Sequence, residues 1–323
     1  MAEFRLNRAR RRDYDTTMKL SGFTFVRNAV RFDFPVVESI RSILPIVDEF
    51  IVNVGPDEDG TRKLIESIGD PKIKILQSQW NPHMTAGGYV YAQQTNIALF
   101  NCMGKWAFYM QADEAVHEAD LPLIVDYMKR YENDDLVEGL ALDELTFHGD
   151  YKTIITAYPW HYSRRCWVVK PHKFVLSRGD AAGFSVHPKY KHRGRHIRVV
   201  NTGARVFHYS FVRSVKALTA KHKGVLQYWS DKFTPEQIDQ MAVDYYNYQR
   251  AFVGPYDGTH PAVMEKRIHE HPIHLDLDSP RWNRCLSRKD RERLLKTWLI
   301  KHFGDRFLGR GSYKLIHTQQ EQT

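Results

Sequence analysis

From residue 20 onward, short dense apolar runs alternate with segments of helical spacing. Residues 20–26 form a compact apolar run that fits a strand and breaks at Arg27-Asn28-Ala29. Pro35 then opens a helical pattern with Val36, Ile40, Ile43, Leu44 and Val47 along one face. Residues 50–54 read as a second buried strand, stopped by Gly55-Pro56, and Asp57-Glu58-Asp59-Gly60-Thr61 makes a turn. Leu64, Ile65 and Ile68 mark the next helix, residues 72–76 alternate as a third strand, and residues 92–100 are helical before an apolar run at 105–110. Strand and helix repeating with short connections predict a parallel sheet covered on both faces.

Beyond residue 121 the pattern changes. Residues 123–131 are helical, while 136–147 and 168–176 read as strands, so the sheet is expected to become mixed. Helical patterns dominate at 215–229, 235–252 and 288–303. The expected organisation is an unstructured basic arm at 1–17, an α/β core at 18–213 and a helical extension at 214–323. No internal repeat or low-complexity tract interrupts it.

With 42% apolar and 26% charged residues, the chain has the balance of a soluble globular protein. No stretch approaches the roughly 18 consecutive apolar residues of a membrane span. Charges follow Phe4 at once, which does not fit a secretory signal. Cys102, Cys166 and Cys285 are too far apart for a C-x-x-C site and odd in number, so a reducing cytoplasm is the expected location. The net charge of +9 gathers between Arg5 and Arg12 and in the C-terminal third. Anionic sugar donors, lipid headgroups or polysaccharides would suit it, including a peripheral contact with a membrane face. The arm lacks aromatic interleaving and no DNA-binding signature follows it, so nucleic acid is not an expected partner.

The candidate chemistry begins where the apolar run at 105–110 ends in Gln111-Ala112-Asp113-Glu114. Strand ends of open α/β sheets carry working side chains, and a carboxylate there can hold a hard divalent cation that in turn holds a diphosphate. A solvated loop or helix cap would read the same way. Asp180 stands in a Gly-rich turn, and His208-Tyr209 follows an apolar strand at 204–207. A turn-forming Asp and a structural histidine are the plain alternatives. The run His269-Glu270-His271-Pro272-Ile273-His274 lacks metal-site spacing and reads as a surface turn.

These features share their order with a known family. The carrying segments are residues 21–29 (Ser-Gly-Phe-Thr-Phe-Val-Arg-Asn-Ala), Val37-Glu38-Ser39-Ile40, residues 47–52, Glu58-Asp59-Gly60-Thr61, residues 106–114 and His208-Tyr209-Ser210-Phe211-Val212-Arg213. On them the sequence resembles the family 2 glycosyltransferases of GT-A fold, a Rossmann-like mixed sheet with helices on both faces, and is most like their bacterial soluble branch. The resemblance spans roughly residues 20–213. It implies a nucleotide-sugar donor and a glycan, lipid-linked or other cell-envelope acceptor, with Mn²⁺ or Mg²⁺ bound by Asp113 and supplemented by His208. It places Asp180 as the general base of an inverting displacement. Donor contacts would come from Arg27, Asn28, Asp57, Gln111, Arg164 and Arg165, the last two within the aromatic loop at 158–165.

Two positions depart from the family pattern. Gln111 stands where the first acid of its DxD motif is usual, and Gly55 where an acid contacts the base, with Asp57 as a nearby substitute. These losses leave a non-catalytic sugar-nucleotide or glycan-binding protein as the rival reading. A nucleotidyltransferase would need a Gly-rich loop near the first strand, where only Gly22 lies.

Overall fold

The computed structural model describes residues 20–161, 163–188, 194–229, 234, 236–237, 250–273, 285–304 and 312–316. The basic arm, most of the helix expected at 235–252, and His274 lie outside the described residues.

Four parallel strands form the first half of the sheet. They are β1 (Leu20–Val26), β2 (Glu49–Val54), β3 (Ile73–Gln77) and β4 (Trp106–Tyr109), in the order β3-β2-β1-β4. Helices α1 (Val36–Ile43), α2 (Thr61–Glu66) and α3 (Tyr89–Leu99) make the crossovers. A parallel strand buried on both faces needs a continuous apolar run, and β1 and β2 supply it. Their side chains divide by pleat. Phe50, Val52 and Phe108 join α1, α2 and α4 (Leu121–Arg130) in one core, while Phe23, Ile51 and Tyr109 face α3 in the other.

The sheet turns mixed after β4, as expected. β8 (Arg164–Val169) runs antiparallel to both β4 and β6 (Gly139–His148), and the long β11 (Arg195–Phe211) is parallel to β6. β10 (Gly183–Val186) and β9 (Val175–Arg178) complete that edge, and β5 (Glu114–Val116) pairs antiparallel with β11. β7 (Thr153–Ile155) joins β6 to β12 (Val253–Pro255), and β13 (Tyr313–Leu315) adds to β11.

The strand expected at 168–176 is two strands. β8 stops at Lys170-Pro171, where proline offers no ladder donor, and β9 restarts after Phe174 at φ 57°. Buried Lys170 fixes the break by donating to the carbonyls of Tyr131 (2.6 Å) and Asp134 (2.8 Å). In the last third, α5 (Val215–Leu226) and α7 (Arg288–Phe303) match the expected helices, and α6 (Glu265–Glu270) carries His269 and Glu270. Strands β12 and β13, however, return to the core, so the region is not purely helical. Among the described residues no helix is long and apolar enough to cross a membrane.

One buried carboxylate ties the parallel half together at its N-terminal edge. Glu49 accepts from Ser21 Oγ (2.7 Å), the Met103 amide (2.8 Å) and Lys74 Nζ (2.7 Å), joining β2 to β1, β3 and the approach to β4. Glu49→Ala leaves these donors unmatched. We expect it to cost about 2–3 kcal/mol of unfolding free energy, measured by urea denaturation; a loss no larger than that of an ordinary surface substitution would contradict this role.

Candidate active site

The C-terminal ends of β1 and β4 open on the same edge of the sheet, and a cavity of about 390 Å³ lies there. Beyond β1 the backbone swings through Arg27 into Asn28, a buried residue at φ 57°. Beyond β4 the turn is pinned on all sides. Met110 donates its amide to the Phe23 carbonyl (3.0 Å), the Gln111 amide donates to Glu114 Oε2 (2.9 Å), and Ser39 Oγ donates to the Gln111 carbonyl (2.8 Å). Tyr209 donates its amide to the Asp113 carbonyl (2.8 Å), which sets the end of β11 against the same turn.

Arg27, Asn28, Gln111, Asp113, Arg165, Asp180 and His208 line this cavity. Asp57 and Arg164 do not. Asp57 is exposed on the turn after β2, and Arg164 is drawn away by Asp143 (2.7 Å).

One wall is aromatic. Trp80, Tyr91 and Tyr228 pack with ring centroids 5.4–5.7 Å apart, and the Arg27 guanidinium lies 5.5 Å from the centre of the Trp80 ring while donating to Tyr228 Oη (2.8 Å). The bare backbone of Gly55 is explained here. A Cβ at Gly55 would stand 2.6 Å from Trp80 Nε1, so the indole takes the room that an acid would need. Asn28 Oδ1, Arg27 Nε and Trp80 Nε1 are buried with no hydrogen-bond partner among the described residues.

The rim joins α3 to the C-terminal side. Gly88, at φ 65°, donates its amide to the Tyr228 carbonyl (2.9 Å), and a Cβ there would press on Asp180 and Trp229 at 3.0 Å. Asp180 is exposed on this rim, and its Oδ1 accepts from the Ala182 amide (3.3 Å).

The floor is ionic. Asp113 Oδ2 accepts from Lys221 Nζ (2.9 Å) and lies 3.7 Å from Arg213, while His208 Nε2 is 3.9 Å from Asp113 Oδ1. Burial alone would raise the Asp113 carboxyl, but Lys221, His208 and Arg213 hold it well below the usual carboxylate range. Lys221 also donates to the Ser210 carbonyl (3.3 Å) and hydroxyl. Beneath lies Glu144, bonded by Ser163 (2.6 Å) and Arg165 (3.0 Å) and in contact with His208 Nδ1 (2.8 Å). Burial works against its ionisation, yet Arg165 and His208 bring it down to about 2. Burial wins at Glu114, which is pushed up to about 7 even though it accepts from Trp167 Nε1 (2.9 Å).

This donor set does not fit the Mn²⁺ or Mg²⁺ that the resemblance implies. An ion between Asp113 and His208 would stand beside a buried ammonium and guanidinium. Glu144 is committed to Arg165, burial raises the Glu114 carboxyl to about 7, and residue 111 is an amide. Among the described residues no group of three or more His, Cys, Asp or Glu side chains is placed to hold a metal.

Glu144, Arg213, Lys221, Trp80 and Tyr228 were not anticipated as site residues. Lys221 had a sequence signal, because it shares a helical face with Leu218 and Val225, at spacing that buries a stripe. Arg213 closes the motif that begins at His208. Glu144 lies within a strand and carried no signal of its own.

No family model matches the sequence, and no curated protein matches it. Solved structures similar to it include residues 1–349 of TarS from S. aureus, at 10% identity over 90% of this chain and 82% of that one, with a TM-score of 0.37. The same segment in complex with UDP has a TM-score of 0.38 at 10% identity and the same coverage. Glucosyl-3-phosphoglycerate synthase from Mycobacterium tuberculosis, in complex with Mn²⁺, UDP and phosphoglyceric acid, is similar at 10% identity over 65% of this chain and 78% of that one, with a TM-score of 0.36. At such identities and TM-scores these likenesses carry no weight for function, and the residues of the cavity must do so.

The raised Glu114 carboxyl gives a pH test. A group with a folded value near 7 and an ordinary one near 4.5 binds protons preferentially in the folded state, so its contribution is lost as pH rises through 7. Glu114→Gln cannot ionise. Its melting temperature relative to wild type should therefore climb between pH 5 and pH 8; a pH-independent difference would contradict the assignment.

Proposed function

We propose that the protein is a glycosyltransferase that moves a sugar from a nucleotide-sugar donor to an acceptor hydroxyl. The observation that carries this reading is the cavity itself. It sits at the C-terminal ends of parallel strands, with a cationic floor, an aromatic wall and a carboxylate at the rim. The floor suits a diphosphate, since Lys221 and Arg165 line it and the fully buried Arg213 stands behind Asp113, against two low-lying carboxylates, Asp113 and Glu144. The wall suits a base or sugar ring, with the rings of Trp80, Tyr91 and Tyr228 offering aromatic surface beside the Arg27 guanidinium.

In this reading Asp180 takes the proton of the acceptor hydroxyl as its oxygen attacks the anomeric carbon. The bond to the diphosphate breaks on the opposite side, and its electron pair passes to the leaving oxygen, with inversion in one step. The working unit extends past residue 213, because Lys221 and Tyr228 line the same cavity. A glycan, lipid-linked or other cell-envelope acceptor and a cytoplasmic site of action belong to this proposal through the family resemblance.

The test is thermal unfolding with UDP-, GDP-, dTDP- and CMP-sugars, followed by assay of donor consumption. A ligand at about a hundred times its dissociation constant adds roughly 2.7 kcal/mol, a shift of several degrees. One nucleotide class should stabilise the protein and be consumed when an acceptor glycan is supplied. Asp180→Asn should keep that stabilisation and lose turnover by about 10²-fold or more. Stabilisation without consumption would make the protein a binding module, and no stabilisation by any donor would remove the proposal.

A further inference from the structure

Helix α5 brings an ammonium group to the border of the cavity. Lys221 is almost wholly enclosed, with 12% of its side chain exposed, and its ammonium is gripped by Asp113 Oδ2 at 2.9 Å and by Ser210. Helix α5 delivers it: Ser214 caps the helix by accepting from the Ala217 amide, and buried Leu218 seats the same face against the core. The ring of Phe34 lies 4.9 Å from the Arg213 guanidinium and 5.2 Å from the Lys221 ammonium, so both cations have a fixed apolar backing. All of this converges on the strand-end carboxylate where a divalent ion was expected, and both Asp113 and Lys221 border the cavity.

We infer that Lys221, held by Asp113 and Ser210 and backed by Arg213, is the fixed cation that binds the donor diphosphate and stabilises the charge it gains on leaving, so that the protein binds its donor without a divalent metal. The inference rests on the transferase reading above. Asp113 is then a positioning residue: its carboxylate orients and neutralises a buried ammonium instead of coordinating an ion. Of the three ammonium contacts, the one to the Ser210 carbonyl is long at 3.3 Å, and a phosphate oxygen entering the cavity can accept that hydrogen bond instead. When the anomeric carbon–oxygen bond breaks, its electron pair settles on a diphosphate oxygen beside a charge already in place, and no solvent or ion need reorganise.

The experiment is calorimetric titration of the full chain with UDP, GDP, CDP, ADP and dTDP, each in excess EDTA and each with Mn²⁺ or Mg²⁺. Wild type should bind one nucleotide in EDTA, and added metal should change the dissociation constant by no more than about twofold. Lys221→Met keeps the length and loses the charge, and it should weaken binding by roughly tenfold to a hundredfold, the value of a charge-assisted hydrogen bond. Binding that appears only with metal, or Lys221→Met binding like wild type, would overturn the inference and leave the transferase reading standing. Failure of every nucleotide to bind, with metal or without, would overturn the transferase reading and this inference with it. The EDTA comparison uses wild type alone, so it decides the metal-free binding even where the variant folds poorly.

Discussion

The ion pair between Asp113 and Lys221 joins the two halves of the site. Asp113 stands at the end of β4, where the parallel sheet delivers it, and Lys221 comes from α5, more than a hundred residues later in the chain. Buried ion pairs of this kind contribute little net stability, because desolvating two charges offsets most of their attraction. Breaking one is costly, since the surviving charge is left in a poor solvent. The pair ties α5 to the end of β4, and in the same arrangement Tyr228 and Trp229 lie over the cavity with the Tyr228 carbonyl against Gly88.

The parallel half of the fold was legible because its signals are local. Continuous apolar runs, prolines at helix starts and short turns mark each element without reference to the rest of the chain, and β1 through β4 stand within a residue or so of their expected bounds. Where the reading slipped, a long-range interaction was responsible. Residues 168–176 have strand composition throughout, but the buried Lys170 ammonium reaches back to Tyr131 and Asp134 and divides them. Strands β12 and β13 are three residues each and exist by pairing with β7 and β11, which no local pattern announces.

The site shows the same division. Arg27, Asn28, Gln111, Asp113, Arg165, Asp180 and His208 were marked by motif order, and the fold brings them to one cavity. Their partners were not legible. Arg165 resembles a free phosphate ligand in sequence, yet Glu144 holds it, and Glu144 looks like one more residue of a strand. Lys221 sits among Lys216, His222 and Lys223 and reads as part of a solvated basic face. Only its place on the stripe of Leu218 and Val225 distinguishes it, and that clue has force only once a helix face is known to be buried.

The two positions that differ from the pattern of the resembled family have distinct surroundings in the fold. At Gly55 the absent acid leaves room for the Trp80 indole, whose unmatched N–H lies where a carboxylate would have been. At Gln111 an amide replaces a carboxylate and removes one negative charge from the floor, while Lys221 contributes one positive charge. The two changes together equal the charge of a divalent ion. A floor with two acids and no lysine would repel a diphosphate until a metal arrived; this floor, with Asp113 neutralised and Arg213 close by, is attractive as it folds. On the proposed reading, an amide at 111 agrees with a floor whose cation is Lys221.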